Sequence, residues 1–197
     1  MPTVIYRLIE KKGDGFMTGK SMKDAILDAA EKRVRHAGYS KMSFRDVAKD
    51  VGIKSASVHY HFPTKSDLGT ALVERYKDHF SQKLLQIDTT NFADALAQFV
   101  QLYDAALVMG QSICLCAALG AESMGIEKQI RAETGDFFQV NIKWLQNLFR
   151  LHPTKATGLE ATDIVASLEG AMLLASTTGH RTYFQKVSDR ILHHTKI

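Results

Sequence analysis

Between Ser43 and Leu68 the chain reads Ser-Phe-Arg-Asp-Val-Ala-Lys-Asp-Val-Gly-Ile-Lys-Ser-Ala-Ser-Val-His-Tyr-His-Phe-Pro-Thr-Lys-Ser-Asp-Leu. Lys54, Ser55, Ser57, His59 and Tyr60 put an ammonium, two hydroxyls, an imidazole and a phenol on one short stretch with no carboxylate. Such groups suit phosphate oxygens and the base edges of duplex DNA. The residues before them explain how they would be held. Phe44, Val47, Ala48 and Val51 follow helical spacing, and Ser43 is a cap for that helix. Gly52 supplies a sharp turn, Ala48 is small enough for a second helix to cross closely, and Ile53 and Val58 pin that helix down. The segment reads as a helix-turn-helix whose second helix fits a major groove.

A second chemical feature is Cys114-Leu115-Cys116. Cysteine in an apolar setting is ordinarily inert core. A thiol at a helix N-terminus instead has its pKa lowered and its reactivity raised. Two positions along a helix are roughly 200° apart, so one thiol at most is expected to face any cavity, with Cys114 the better placed and Cys116 turned away. Packing is the expectation for both, and a reactive Cys114 is its alternative. A lone C-x-C has no second pair to complete a structural zinc site, so no metal and no cofactor are expected. Tyr103, Phe138 and Trp144 recur at helical spacing among other aromatics and supply candidate lining for an organic ligand, with Tyr103 and Trp144 as its polar groups. No Gly-rich phosphate loop, H-E-x-x-H or G-x-S-x-G is present, and the chain is not read as an enzyme.

Gly52-Ile53-Lys54, then Val58-His59-Tyr60-His61-Phe62-Pro63, then Lys65 and Leu68 give the segment a specific likeness: it resembles the DNA-binding motif of the TetR family of bacterial transcriptional regulators. The likeness covers about residues 21 to 85, with a weaker local match from Cys114 to Glu122. One position departs, since His59 stands where the family usually has tyrosine and Tyr60 follows one place later. The resemblance implies that Lys54, Ser55, Ser57, His59 and Tyr60 reach bases or backbone. It also implies that Ser43 and Arg45 hold flanking phosphates, that His61 sits near the end of the recognition helix, and that Lys65 meets a phosphate. It implies a homodimer on a palindromic operator, a small-molecule effector bound among the C-terminal helices, and release of DNA on effector binding. The alternatives within that reading are a thiol-based electrophile or redox sensor acting through Cys114, and a constitutive DNA-binding protein without effector.

Charge distribution agrees with the motif. Residues 1–69 hold 13 Lys and Arg against 8 Asp and Glu, and the remainder 12 against 13. The positive excess therefore lies with the helix-turn-helix, where phosphates would meet it. No apolar run approaches the roughly 20 residues that span a bilayer, and residues 1–19 lack a signal-peptide pattern. With two closely spaced cysteines and no disulfide framework, the expected compartment is a reducing cytoplasm.

The elements that must position these residues are all helical. A flexible arm is expected over 1–20, with Arg7, Lys11, Lys12 and Lys20, then a helix-turn-helix domain over 21–66 and a helical effector and dimerisation domain over 67–197. The first helix spans Ser21 to Ala37 and ends at Gly38. Past Pro63, Thr64 or Ser66 caps a long helix to about Leu85. Further helices are expected from Asn91 to about Gly110, Ile113 to Ser123, Glu127 to Leu151 and Glu160 to Thr178, followed by a last one. The Glu160–Thr178 segment is apolar or small on too many sides for one chain to cover. Together with the last helix it is expected to form a four-helix dimer bundle through Met172, Leu173, Phe184 and Ile191. The predicted class is all-α.

Overall fold

The computed structural model describes residues 21–110, 113–156 and 158–193, and the predicted arm at 1–20 lies outside them. Nine helices and no strands are present among the described residues: α1 (Met22–Ala37), α2 (Phe44–Val51), α3 (Ser55–His61), α4 (Lys65–Leu85), α5 (Phe92–Gly110), α6 (Leu115–Ala121), α7 (Lys128–Leu151), α8 (Ala161–Thr178) and α9 (Thr182–His193). An N-terminal head of α1 to α3 and a helical body are joined through α4.

Local sequence sets the boundaries. Ser21, Ser43 and Thr64 each accept the backbone N–H three residues on, from Asp24, Asp46 and Asp67, and so cap α1, α2 and α4. Thr64 and Asp67 complete a reciprocal capping box. Asn91 does the same for α5 through the Asp94 N–H. Gly52 ends α2 in the left-handed conformation (φ 77°, ψ 29°) and turns the chain into α3.

The head packs on Ile26, Leu27, Ala30, Val34, Val47, Ala48, Val58 and Phe62, all buried. The body core is aromatic: Phe80 contacts Tyr103 and Phe137, and Trp144 stacks on Phe99 with centroids 5.2 Å apart. Two arginines bind head to body. Arg75 of α4 donates to Asp28 and Glu31 of α1. Arg35 of α1 donates from Nε to the Ile113 carbonyl (2.9 Å) and from Nη2 to the Ala106 carbonyl (2.8 Å). Glu122, at the end of α6, accepts from the N–H groups of Tyr39 (2.6 Å) and Ser40 (2.9 Å) in the loop between α1 and α2. Burial pushes its carboxyl upward, but those N–H groups and the nearby Lys65 outweigh this and hold it below the usual glutamate range.

Candidate nucleic-acid interface

The recognition helix is short because Gly52 and Pro63 bracket it, and it is held from below by one side chain. Val58 is fully buried, Phe62 nearly so, and the opposite face is left to solvent. Tyr60 is 84% exposed, and Lys54 and His59 are exposed beside it. Ser55, Ser57 and His61 are half-buried at the flanks. Lys54 is the residue before the first turn and makes no capping bond, which leaves its ammonium outward. Arg45 is exposed in the first turn of α2.

Three of the expected contacts are already engaged within the chain. The Ser43 hydroxyl serves the α2 cap, donating to Asp46 Oδ2 and accepting from the Asp46 N–H. Ser43 would therefore act on a phosphate through its helix start rather than through a free hydroxyl. His59 packs edge-on against Phe44 with centroids 4.5 Å apart, and its Nδ1 lies 3.4 Å from the Pro63 carbonyl, leaving Nε2 outward. Lys65 Nζ donates to the Ser40 carbonyl (3.1 Å) and lies 4.5 Å from the centroid of the Tyr39 ring. That places a pre-oriented cation beside the start of α4, where the helix dipole is also positive. The arrangement offers donors and cations without a carboxylate on the recognition helix.

Comparison with known proteins bears on this head directly. The family of bacterial regulatory proteins named tetR matches residues 26–72, which run from within α1 to within α4. A crystal structure of a TetR transcriptional regulator from Legionella pneumophila superposes with a TM-score of 0.79 at 28% identity, over 89% of this chain and 97% of that one. The head, residues 26–72, is that of the TetR family, and the fold of the chain is shared with a solved regulator of that family. A solved TetR-family transcriptional regulator from Agrobacterium tumefaciens (24% identity, TM-score 0.80, 87% of this chain and 95% of that one) and E. coli NemR in its reduced form (20%, 0.74, 87% and 96%) share the fold. The biofilm operon negative transcriptional regulator IcaR of Staphylococcus epidermidis is 35% identical over 80 residues, which is 40% of this chain and 43% of that relative. The chain thus aligns with less than half the length of the curated relatives it matches.

In this chain the body residues singled out from sequence fall in different places. Tyr103 is buried and its hydroxyl has no hydrogen-bond partner. Trp144 and Phe138 are half-buried, against Phe99 and Phe137. Cys114 is not within α6 but is its capping residue, with ψ 140°, so helical spacing does not govern it. The expectation that Cys116 turns away from Cys114 is therefore corrected: both thiols are buried and they interact.

Around Cys114 the structure assembles more than the sequence reading foresaw. The Tyr76 hydroxyl donates to its sulphur at 3.6 Å. The N–H groups of Cys116 and Ala117 at the start of α6 lie close enough to favour a thiolate, although no capping hydrogen bond is formed. Burial pushes the Cys114 thiol up, yet the Cys116 thiol, the Ala117 N–H, the Tyr76 hydroxyl and the Cys116 N–H together lower it from its ordinary 9.0 to about 6. Burial and then the Cys114 charge raise Glu169, whose two carboxyl oxygens are enclosed without a hydrogen-bond partner. Glu169 gave a signal in the sequence, as a lone acid in the apolar run of α8. Tyr76, Arg35 and Glu122 gave none, because their partners lie 38 to 83 residues away.

The expected dimer residues divide. Leu173 is 52% exposed, together with Leu174 and Tyr183. Met172, Phe184 and Ile191 are buried against their own chain and present no surface to a partner, which corrects their assignment. Among the described residues no helix is long and apolar enough to cross a membrane.

Proposed function

We propose that this chain is a DNA-binding transcriptional regulator that represses by occupying a palindromic operator as a homodimer and lets go when a small organic effector enters the body. The observation that carries the reading is the recognition helix: donors outward, Val58 and Phe62 inward, and cations at Arg45, Lys54 and Lys65 around it. Repression is supported by the IcaR relatives, which are negative transcriptional regulators and are matched over 40% of this chain. The exposed Leu173, Leu174 and Tyr183 support pairing through α8 and α9. A dimer of this kind must set its two recognition helices about 34 Å apart to meet successive major grooves. A shift of α4 changes that distance, and Arg35 and Glu122 are the links through which the body bears on the head. The orphaned Tyr103 hydroxyl and Glu169 carboxyl in the aromatic body support an effector with both apolar surface and a polar group to satisfy them. Titrating the purified chain on DNA from its own upstream region over a range of salt tests the reading. Affinity should fall steeply as salt rises, and an affinity insensitive to salt refutes it.

A further inference from the structure

His59 lies on the recognition helix with its hydrogen-bonding chemistry already decided by its neighbours. The ring packs edge-on against Phe44 of α2, with centroids 4.5 Å apart, and Nδ1 lies 3.4 Å from the Pro63 carbonyl. A carbonyl oxygen only accepts, so this hydrogen bond places the imidazole proton on Nδ1. In the neutral ring Nε2 is then a bare lone pair, an acceptor with no hydrogen to give. The side chain is exposed beside Tyr60, so that lone pair faces whatever α3 meets. Contacts from α2 and from the turn after α3 hold the ring, and little rotamer freedom is left to lose on binding.

An obligate acceptor in that place selects its partner on DNA. Phosphate oxygens are acceptors, and so are O6 and N7 of guanine, N7 of adenine and O4 of thymine; none of them can satisfy a bare Nε2. The donors that a major groove presents are exocyclic amines, N6 of adenine and N4 of cytosine. We propose that neutral His59 is a specificity-determining residue of α3, its Nε2 accepting a hydrogen bond from the exocyclic amine of an adenine or a cytosine. Lys54, Ser55, Ser57 and Tyr60 all carry hydrogens to donate, so they suit phosphates and keto bases. His59 supplies the complementary acceptor on a helix that has no carboxylate to do so. Tyrosine at this position would bring a phenol that donates as well as accepts, which would open it to phosphate and remove the demand for an amine. The base assignment rests on the DNA-binding reading, whereas the tautomer belongs to the free protein and does not.

The test uses the full chain at pH 8, above the ordinary histidine range. With isotope-labelled histidine, long-range nitrogen–proton correlation should show a protonated Nδ1 and a bare Nε2 for His59, identified by the signal that His59→Phe removes. A proton on Nε2 overturns the proposal before any DNA is added. Duplexes selected from a random library by the wild type and by His59→Phe should then differ at one position of each half-site, where the wild type prefers adenine or cytosine. Replacing that base by its analogue without the amine, purine for adenine or pyrimidinone for cytosine, should weaken wild-type binding about three- to tenfold and leave His59→Phe binding unchanged. Whichever analogue has this effect names the base. His59→Tyr should still bind but lose the discrimination between natural base and analogue. An analogue that the wild type binds as well as the natural base overturns the assignment. So does a gain in affinity from pH 8 to pH 6 that His59→Phe abolishes, the mark of an imidazolium against a phosphate. Failure of the wild type to bind any duplex would remove the DNA-binding reading and the base assignment with it, while the tautomer measured on the free protein would stand.

Discussion

The contact between Gly38 and Glu122 yields a quantitative prediction about how head and body are joined. Gly38 ends α1 at φ 90° and ψ 157°, in a region open essentially to glycine. An alanine there costs about 1–3 kcal/mol in backbone strain alone. Its Cβ would also overlap Glu122 Oε1. The carboxylate must then withdraw, losing its bonds to the Tyr39 and Ser40 N–H groups. Because that carboxylate is partly solvated, the two bonds together contribute about 1–2 kcal/mol, below the sum for fully buried charged pairs. Gly38→Ala should therefore destabilise by about 2–5 kcal/mol and Glu122→Ala by about 1–2. The double variant should cost no more than Gly38→Ala by itself, since the first substitution has already expelled the carboxylate. Urea unfolding at one fixed protein concentration, followed by circular dichroism, measures all three. The coupling in the cycle should be about 1–2 kcal/mol in the sense that the double is less damaging than the sum. Additivity to within about 0.5 kcal/mol would refute the contact as drawn.

Other expectations concern DNA, assembly and the thiol. Lys65→Ala should weaken binding on all sequences alike and reduce the slope of log affinity against log salt by about 1, whereas Tyr60→Ala and Ser57→Ala should change base preference; loss of preference in the lysine variant and not the others would reverse the assignment. Leu173→Glu should yield monomers in sedimentation with helical content retained, while Met172, Phe184 and Ile191 changes should act first on folding; a Leu173→Glu dimer would move the interface elsewhere. Cys114 should gain its ultraviolet thiolate absorbance with an inflection near pH 6. Its depressed pKa means the charge is present above that value and is lost as pH falls through it, with Tyr76, Cys116 and Glu169 facing the sulphur throughout. An inflection near the ordinary 9.0 would show that the cluster does not hold the thiolate.

The head was legible in the sequence because its signals are local. Ser43, Gly52 and Thr64 act within a few residues, and each sits where its cap or turn chemistry requires. The apolar spacing of Val47, Ala48 and Val58 told inside from outside because the opposite face is polar. In α8 that contrast is missing: with Gly170-Ala171-Met172-Leu173-Leu174 apolar or small throughout, the pattern could not say whether Met172 or Leu173 looks outward. The thiol cluster failed for a different reason. A helical angle was applied to Cys114, but the residue caps the helix with a ψ of 140° and so lies outside the helical spacing. Glu122 and Arg35 bond to backbone atoms 71 to 83 residues away, and no side-chain pattern marks a backbone acceptor or donor.

The central claim is that α3 reads a major groove on each of two paired heads. Selection of bound duplexes from a random library by the purified, reduced protein tests it most directly. The account predicts enrichment of an inverted repeat whose half-sites lie about 10 base pairs, or a multiple of that helical repeat, apart from centre to centre, with the preference at individual positions altered by Tyr60→Ala. Recovery of sequences with no common motif, or of a motif that Tyr60→Ala and Ser57→Ala leave untouched, would contradict it.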